Sequence, residues 1–239
     1  MAEPPAGTRP GPSYGAEPPV TELSSTKAQE TKAPETEPRG PRTSGRSSPP
    51  ARLEPVSGPD LRVAELPFLT QIDLRVEPGS DTAAAIALAL GVPLPTEPGT
   101  SASTAGDVPP SSTSASGRQV LWLGPDEWLV VGPPGDTGLE GRLRAAAGTG
   151  HAAVTDVSAQ RTVLLVTGPK ARDLLSHGCA LDLHPRVFGP GRCAQTMLAR
   201  AQVVLTARED DGFHIFVRSS FADYLAAWLL DAAGEYLGG

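Results

Sequence analysis

Cysteine is nearly missing from this sequence: Cys179 and Cys193 are the only two in 239 residues. Two thiols make no disulfide framework, and a reducing cytoplasm is the compartment they suit. Long apolar runs are missing too, and nothing approaches the roughly 20 residues that cross a bilayer. The sequence lacks a basic start followed by an apolar core, so no signal peptide is expected. Positive charge is in deficit, with 20 Lys+Arg against 27 Asp+Glu and a net charge of −7. Without a basic stripe, nucleic acid and anionic membrane surfaces are poor partners. There is no Gly-rich first turn for a dinucleotide, no Walker phosphate loop and no G-x-S-x-G elbow. A doubly wound dinucleotide fold is therefore set aside.

What is present is unevenly distributed. Residues 1–60 hold 13 of the 26 prolines, 7 Lys+Arg, 8 Asp+Glu, no Trp, no Ile and one aromatic residue, Tyr14. Such a segment cannot bury enough apolar surface to offset its ordering entropy, so a disordered tail is expected up to residue 60. Residues 61–239 keep 13 Lys+Arg and 19 Asp+Glu, a net charge of −6, and suit one sizeable domain or one two-lobed domain. Within it, residues 93–117 (PLPTEPGTSASTAGDVPPSSTSASG) are rich in Pro, Ser, Thr and Gly. They are expected to form a surface insertion without a fixed fold.

Periodicity supplies the elements. Alternation from Thr70 to Val76 predicts a half-buried strand. Asp81 is expected to cap a helix over 82–90, which Gly91 ends. Strands are expected over 120–123 and 128–131, joined by the turn Gly124-Pro125-Asp126-Glu127, then a helix over 139–147. Strands 152–157 and 161–166 are expected to form a hairpin about Ser158-Ala159-Gln160. The run Val163 to Val166 suggests burial on both faces. Gly168-Pro169 opens a helix with Ala171, Leu174 and Leu175 inward. Three strands follow, over 193–198, 202–207 and 213–217. A last helix starts near Ser220 with Phe221, Leu225, Trp228, Leu229 and Ala232 as its apolar stripe. This order implies an α+β fold with largely antiparallel sheets and helices on one face.

Several side chains invite a chemical role. His177, Cys179, His184 and Cys193 match no standard zinc spacing, and buried thiols with satisfied histidines are the simpler account. Asp126 and Glu127 between Trp122 and Trp128 could be an acid/base pair in an aromatic pocket, yet a turn explains them on local grounds. Asp156 and Arg161 read as structural residues that either pair across the hairpin or hold its turn by hydrogen bonds to the backbone. Gly168-Pro169-Lys170 and Gly189-Pro190-Gly191-Arg192 lack phosphate-loop spacing, and Pro169 removes a donor. Ser176 beside His177 is not a nucleophile with its base. Arg218 could hold an anion at the start of the last helix; a solvated or interface arginine is the simpler account. No catalytic, cofactor-binding or metal-binding residue is assigned.

The strings LWLGPDEWLVVG (121–132), DVSAQRTVLLVTGPKARDLLSHGCALDLHP (156–185) and VRSSFADYLAAWLLDAA (217–233) together resemble the gamma-subunit family of bacterial heterotetrameric sarcosine oxidases. The resemblance extends over about residues 64–238. The DVS…G-P-x-A…L layout is also similar to the folate-binding domain of aminomethyltransferases, the T-protein of glycine cleavage. These resemblances imply linked ferredoxin-like α+β units. The gamma-subunit resemblance implies a complex that oxidatively demethylates sarcosine to glycine, releasing hydrogen peroxide and a one-carbon unit as formaldehyde or on tetrahydrofolate. The implied partners are the alpha, beta and delta subunits, which would carry FAD, FMN, NAD and zinc. This chain would be a non-catalytic assembly subunit. The alternative is a stand-alone folate-binding or one-carbon-transfer protein, although no residue here matches the acidic group that T-proteins place near the folate.

Overall fold

Alternating and continuous apolar runs sort the strands into two antiparallel sheets. The computed structural model describes residues 53–104, 117–209 and 211–237. In chain order these form β1 (Val56–Ser57), β2 (Arg62–Leu66), β3 (Leu69–Val76), α1 (Asp81–Leu90), β4 (Ser101–Ser103), β5 (Gln119–Gly124), β6 (Glu127–Pro134) and α2 (Leu139–Ala147). There follow β7 (Ala152–Asp156), β8 (Arg161–Thr167), α3 (Ala171–Ser176), β9 (Cys193–Leu198), β10 (Ala201–Ala207), β11 (Phe213–Arg218) and α4 (Ala222–Leu237). One sheet has the order β4-β5-β6-β3-β7, the other β1-β2-β8-β11-β10-β9.

Both sheets contain the same ferredoxin-like unit. In the first, β3, β5, β6 and β7 alternate with α1 and α2 and lie in the order β5-β6-β3-β7. In the second, β8, β10 and β11 take the equivalent places, and β2 supplies the fourth strand beside β8. That strand therefore comes from the N-terminal side of the chain instead of following α4. Gly58 permits the junction, because a Cβ there would sit 3.0 Å from the Leu237 side chain at the end of α4.

Strand parity builds three apolar layers. Ile72, Leu74, Val120, Trp128 and Val130 face α1 and α2, where Ile86, Leu90, Leu139 and Leu143 meet them. Leu164, Val166, Val203, Leu205 and Ile215 face α3 and α4. Leu121, Leu129, Val131, Val163, Leu165, Val204 and Phe216 fill the space between the sheets. The run Val163 to Val166 is thus buried on both faces, as its continuity implies. The helices cover one face of each sheet, the outer one, since each sheet's inner face is occupied by the other.

Other expectations need correction. The fold reaches back before residue 61: β1 pairs with β2, and Leu53 is buried. The remainder of the expected tail, residues 1–52, lies outside the described residues. The 93–117 segment is not free of structure where it is described. β4 pairs with β5, Ser101 N donates to Gly191 O (2.8 Å), and Cys193 N donates to Gly99 O (2.9 Å). A polar segment can still satisfy a neighbouring strand, because ladder bonds need only the backbone. Residues 105–116 lie outside the described residues. The α1 cap is Ser80, whose Oγ accepts from Ala83 N at 3.1 Å, and Asp81 is the first helical residue.

The 152–166 hairpin does not form. β7 pairs with β3, whereas β8 pairs with β2 and β11 in the other sheet. A strand apolar on both faces needs a central place, and β8 finds one only by leaving its neighbour in sequence. In α4 the buried residues are Ala222, Leu225, Ala226, Leu229 and Ala233. Phe221 ends a 3-10 turn, Ser219–Phe221, that is out of phase with the helix, and its ring is 44% exposed.

Candidate functional site

The turn between β5 and β6 has no free carboxylate pair. Arg75 on β3 forms ion pairs with both Glu127 and Asp126. Asp126 O accepts from Val76 N (3.1 Å). Trp122 and Trp128 are register partners on the helix-covered face, and the Trp128 indole donates to Pro95 O at 2.8 Å. The tryptophans are core anchors, and the carboxylates hold β3 to the hairpin.

The Cys and His residues are scattered. Among the described residues no three His, Cys, Asp or Glu side chains form a metal-binding group. His177 Nε2 lies 2.8 Å from the Tyr236 hydroxyl, and His184 Nδ1 accepts from Arg186 N (3.2 Å). Both cysteines are buried and free. Cys193 sits between the sheets with its thiol donating to Thr100 O (3.1 Å). Burial pushes this thiol up to about 11, against partial opposition from a backbone hydrogen bond of Trp122 and the charge of Arg192. At pH 8 about one molecule in a thousand then carries the thiolate, which is the reactive form. Cys193 should therefore resist a disulfide reagent in the native protein and react at once in urea; rapid native labelling of Cys193, located by peptide mapping, would contradict this placement. The sign for stability follows: above pH 9 the unfolded thiol ionises first, so stability falls as pH rises from 9 towards 11.

The DVS and GPKARDLL motifs do structural work. Asp156 Oδ1 accepts from Ser158 N (2.8 Å) and from its hydroxyl, while Ser158 Oγ accepts from Gln71 N (2.9 Å). Of the two expected roles, Asp156 thus holds the turn through the Ser158 backbone and does not pair with Arg161. Arg172 on α3 donates from Nη1 to Leu183 O (2.6 Å) and Phe188 O (2.9 Å) and lies over the Phe213 ring. It fastens the loop carrying Asp182 and His184 to the outer core. Lys170 reaches Asp173 at the surface (3.0 Å). Gly191 O serves the β4 contact.

The arrangement that sequence reasoning missed lies at one end of the space between the sheets. Arg161 and Arg218 are directly opposite in the β8–β11 ladder. Parity with Val163 and Phe216 points both towards the inner side. They line a cleft of about 330 Å³ with Gln202, Met197, Val204 and Phe216. Burial and the neighbouring Arg218 lower the pKa of Arg161, while Asp73 and Glu127 act the other way. The signal in sequence was slight: each arginine sits two residues from an inward apolar residue, but nothing local pairs the two strands.

Asp73 on β3 lies on the inner side as well. Its Oδ1 is buried and lacks a hydrogen-bond partner. Its pKa is raised by burial first, then by Glu127, with Arg75 and Arg161 opposing. The native state therefore holds this proton more tightly than the unfolded chain, and stability falls as pH rises past the ordinary carboxylate range. Asp73→Asn should leave urea stability at pH 7 unchanged or higher. A loss above about 1 kcal/mol would show that the carboxylate is a required partner of Arg161.

Comparison with known proteins adds to this geometry. The family model described as "Sarcosine oxidase, gamma subunit family" matches residues 78–235. A sarcosine oxidase subunit gamma from Arthrobacter sp is 41% identical over 172 residues, covering 72% of this chain and 79% of that protein. Another, from Corynebacterium sp. (strain P-1), is 39% identical over 176 residues, covering 74% and 81%. Among solved structures, a chain of the heterotetrameric sarcosine oxidase from Corynebacterium sp. U-96, in complex with pyrrole 2-carboxylate, matches with a TM-score of 0.70 at 39% identity. The match covers 80% of this chain and 96% of that one. Glycine cleavage system aminomethyltransferase T from Bartonella henselae matches with a TM-score of 0.50 at 17% identity, over 70% of this chain and 45% of that one, a likeness of fold.

Proposed function

This chain belongs to the sarcosine oxidase gamma subunit family, and on that premise we propose that it is the structural and assembly subunit of a heterotetrameric sarcosine oxidase. Its partners would be the alpha, beta and delta subunits, in the cytoplasm. The complex would oxidatively demethylate sarcosine to glycine, releasing hydrogen peroxide and a one-carbon unit as formaldehyde or methylenetetrahydrofolate. FAD, FMN, NAD and zinc would reside in the partner chains, with tetrahydrofolate as a co-substrate of the complex. The observation that carries this reading is the match along 96% of one chain of such a complex. The placement of the polar groups supports it: Arg75, Ser158, Arg172 and Cys193 all hold elements of the fold together.

The test is to express the chain alone, record its absorbance and assay sarcosine-dependent peroxide release, then repeat the assay on the complex with and without it. The lone chain should be colourless and inactive, and the complex should lose yield or activity without it. Flavin absorbance, turnover by the lone chain, or a fully active complex that never incorporates it would refute the proposal. Tight tetrahydrofolate binding by the isolated chain would instead favour a folate-binding protein, the reading that the aminomethyltransferase-like fold suggests.

A further inference from the structure

We infer that the cleft of Arg161 and Arg218 is a docking site for an acidic side chain of a partner subunit, an inference that rests on the assembly role proposed above. Two guanidinium groups directly opposite each other in a ladder repel. Among the described residues, neither is hydrogen-bonded through its side chain or within ion-pair distance of a carboxylate. Asp73 and Glu127 attract Arg161 only at longer range. A carboxylate seated between the two guanidinium groups would relieve the repulsion, and the planar fork of arginine suits that geometry.

The surroundings favour a protein side chain over a small solute. Val204 and Phe216 form an apolar floor, and Met197, 44% exposed, stands at the mouth on β9, the edge strand of its sheet. An apolar floor beside a charged rim is the pattern of an interface anchor. Beyond Arg218 on the chain, Phe221 and Tyr224 stack edge to face while 44% and 40% exposed. This extends apolar surface along the same stretch of chain. The charge is local: the chain as a whole is acidic, so the cleft selects a carboxylate by position, not by net attraction.

The test uses the full chain assembled with the other three subunits. Affinity is read from a salt titration of complex formation for the wild type, Arg218→Glu, Arg218→Lys and Arg161→Gln. Melting of each isolated variant confirms folding; Arg218 is exposed at a strand end and tolerates replacement. Arg218→Glu should weaken assembly at low salt at least about tenfold and flatten its salt dependence. Arg218→Lys should retain most of the affinity. Assembly by a folded Arg218→Glu within about twofold of wild type, with the same salt slope, would overturn the docking site while leaving the subunit reading intact. Failure of the wild-type chain to assemble would overturn both. A calorimetric titration with sodium succinate separates the remaining source of a carboxylate: binding by the isolated chain that is lost in Arg218→Glu, with assembly unchanged, would make the cleft a small-molecule site.

Discussion

Trp128→Ala should destabilise the protein by roughly 3–5 kcal/mol, the range for deleting a large buried aromatic ring. Trp128 is 1% exposed and belongs to the core between β6 and the two helices α1 and α2. Its indole also donates to Pro95 O. Pro95 begins the segment that runs through β4 and on to the Gly191 and Cys193 contacts of the other sheet. Loss of the ring should therefore also loosen residues 95–104, seen as faster amide exchange at Ser101 and Thr104. Trp128→Phe should cost less, since it keeps most of the apolar bulk and forfeits one hydrogen bond of about 1 kcal/mol. Urea unfolding measures the first effect. A loss below about 1 kcal/mol, or normal stability with failed assembly, would mean that the ring faces a partner and not the core.

Phe216→Ala should be equally costly, roughly 3–5 kcal/mol, for a different reason. Phe216 is fully buried in the layer that joins the two sheets. On β11 it lies between Val163 and Val204, and Leu121, Leu129 and Val131 of the other sheet share its cluster. A cavity here cannot be filled by one sheet moving alone, because ladder bonds fix each strand to its neighbours. The variant should also test how the sheets are coupled. Trp128 reports on one sheet, and Trp228, packed against the outer core of the other, reports on the second. Single-tryptophan versions followed by fluorescence should show coincident transitions in the parent protein and separated ones in Phe216→Ala if this layer carries the coupling. A loss below about 1 kcal/mol with coincident transitions would place the coupling elsewhere, in the β4 segment that bridges the sheets.

Most of the elements were legible, because their causes are local; the strands β1, β2 and β4 were not. Alternation between Thr70 and Val76 and the apolar face of Ala171, Leu174 and Leu175 each depend on residues a few positions apart. So does the αL stop at Gly91, where φ is 70°. The double burial of Val163 to Val166 was legible for the same reason. The turn account of Asp126 and Glu127 also held, since Arg75 lies on the strand paired with β6. The Ser80 cap was missed by one position, where two neighbouring residues can both cap and backbone geometry chooses.

Pairing across long loops was not legible. β7 and β8 looked like a hairpin because a short connection usually joins partners, yet β8 belongs between β2 and β11. The decision rests on which apolar faces meet, and those faces come from residues far apart in sequence. For the same reason the fourth strand of the second unit, Arg62–Leu66, had no local sign that it completes a sheet begun a hundred residues later. The candidate docking cleft has the same origin. Each arginine alone is an ordinary strand-end residue; only the β8–β11 register sets the two guanidinium groups opposite each other, and only the neighbouring strands β9 and β10 wall the cleft they line. By itself the sequence determined the periodicity, the caps and the family motifs, because these act within a few residues. The tertiary structure decided which strands share a sheet and which charges meet, because those follow from the joint burial of faces that no local segment contains.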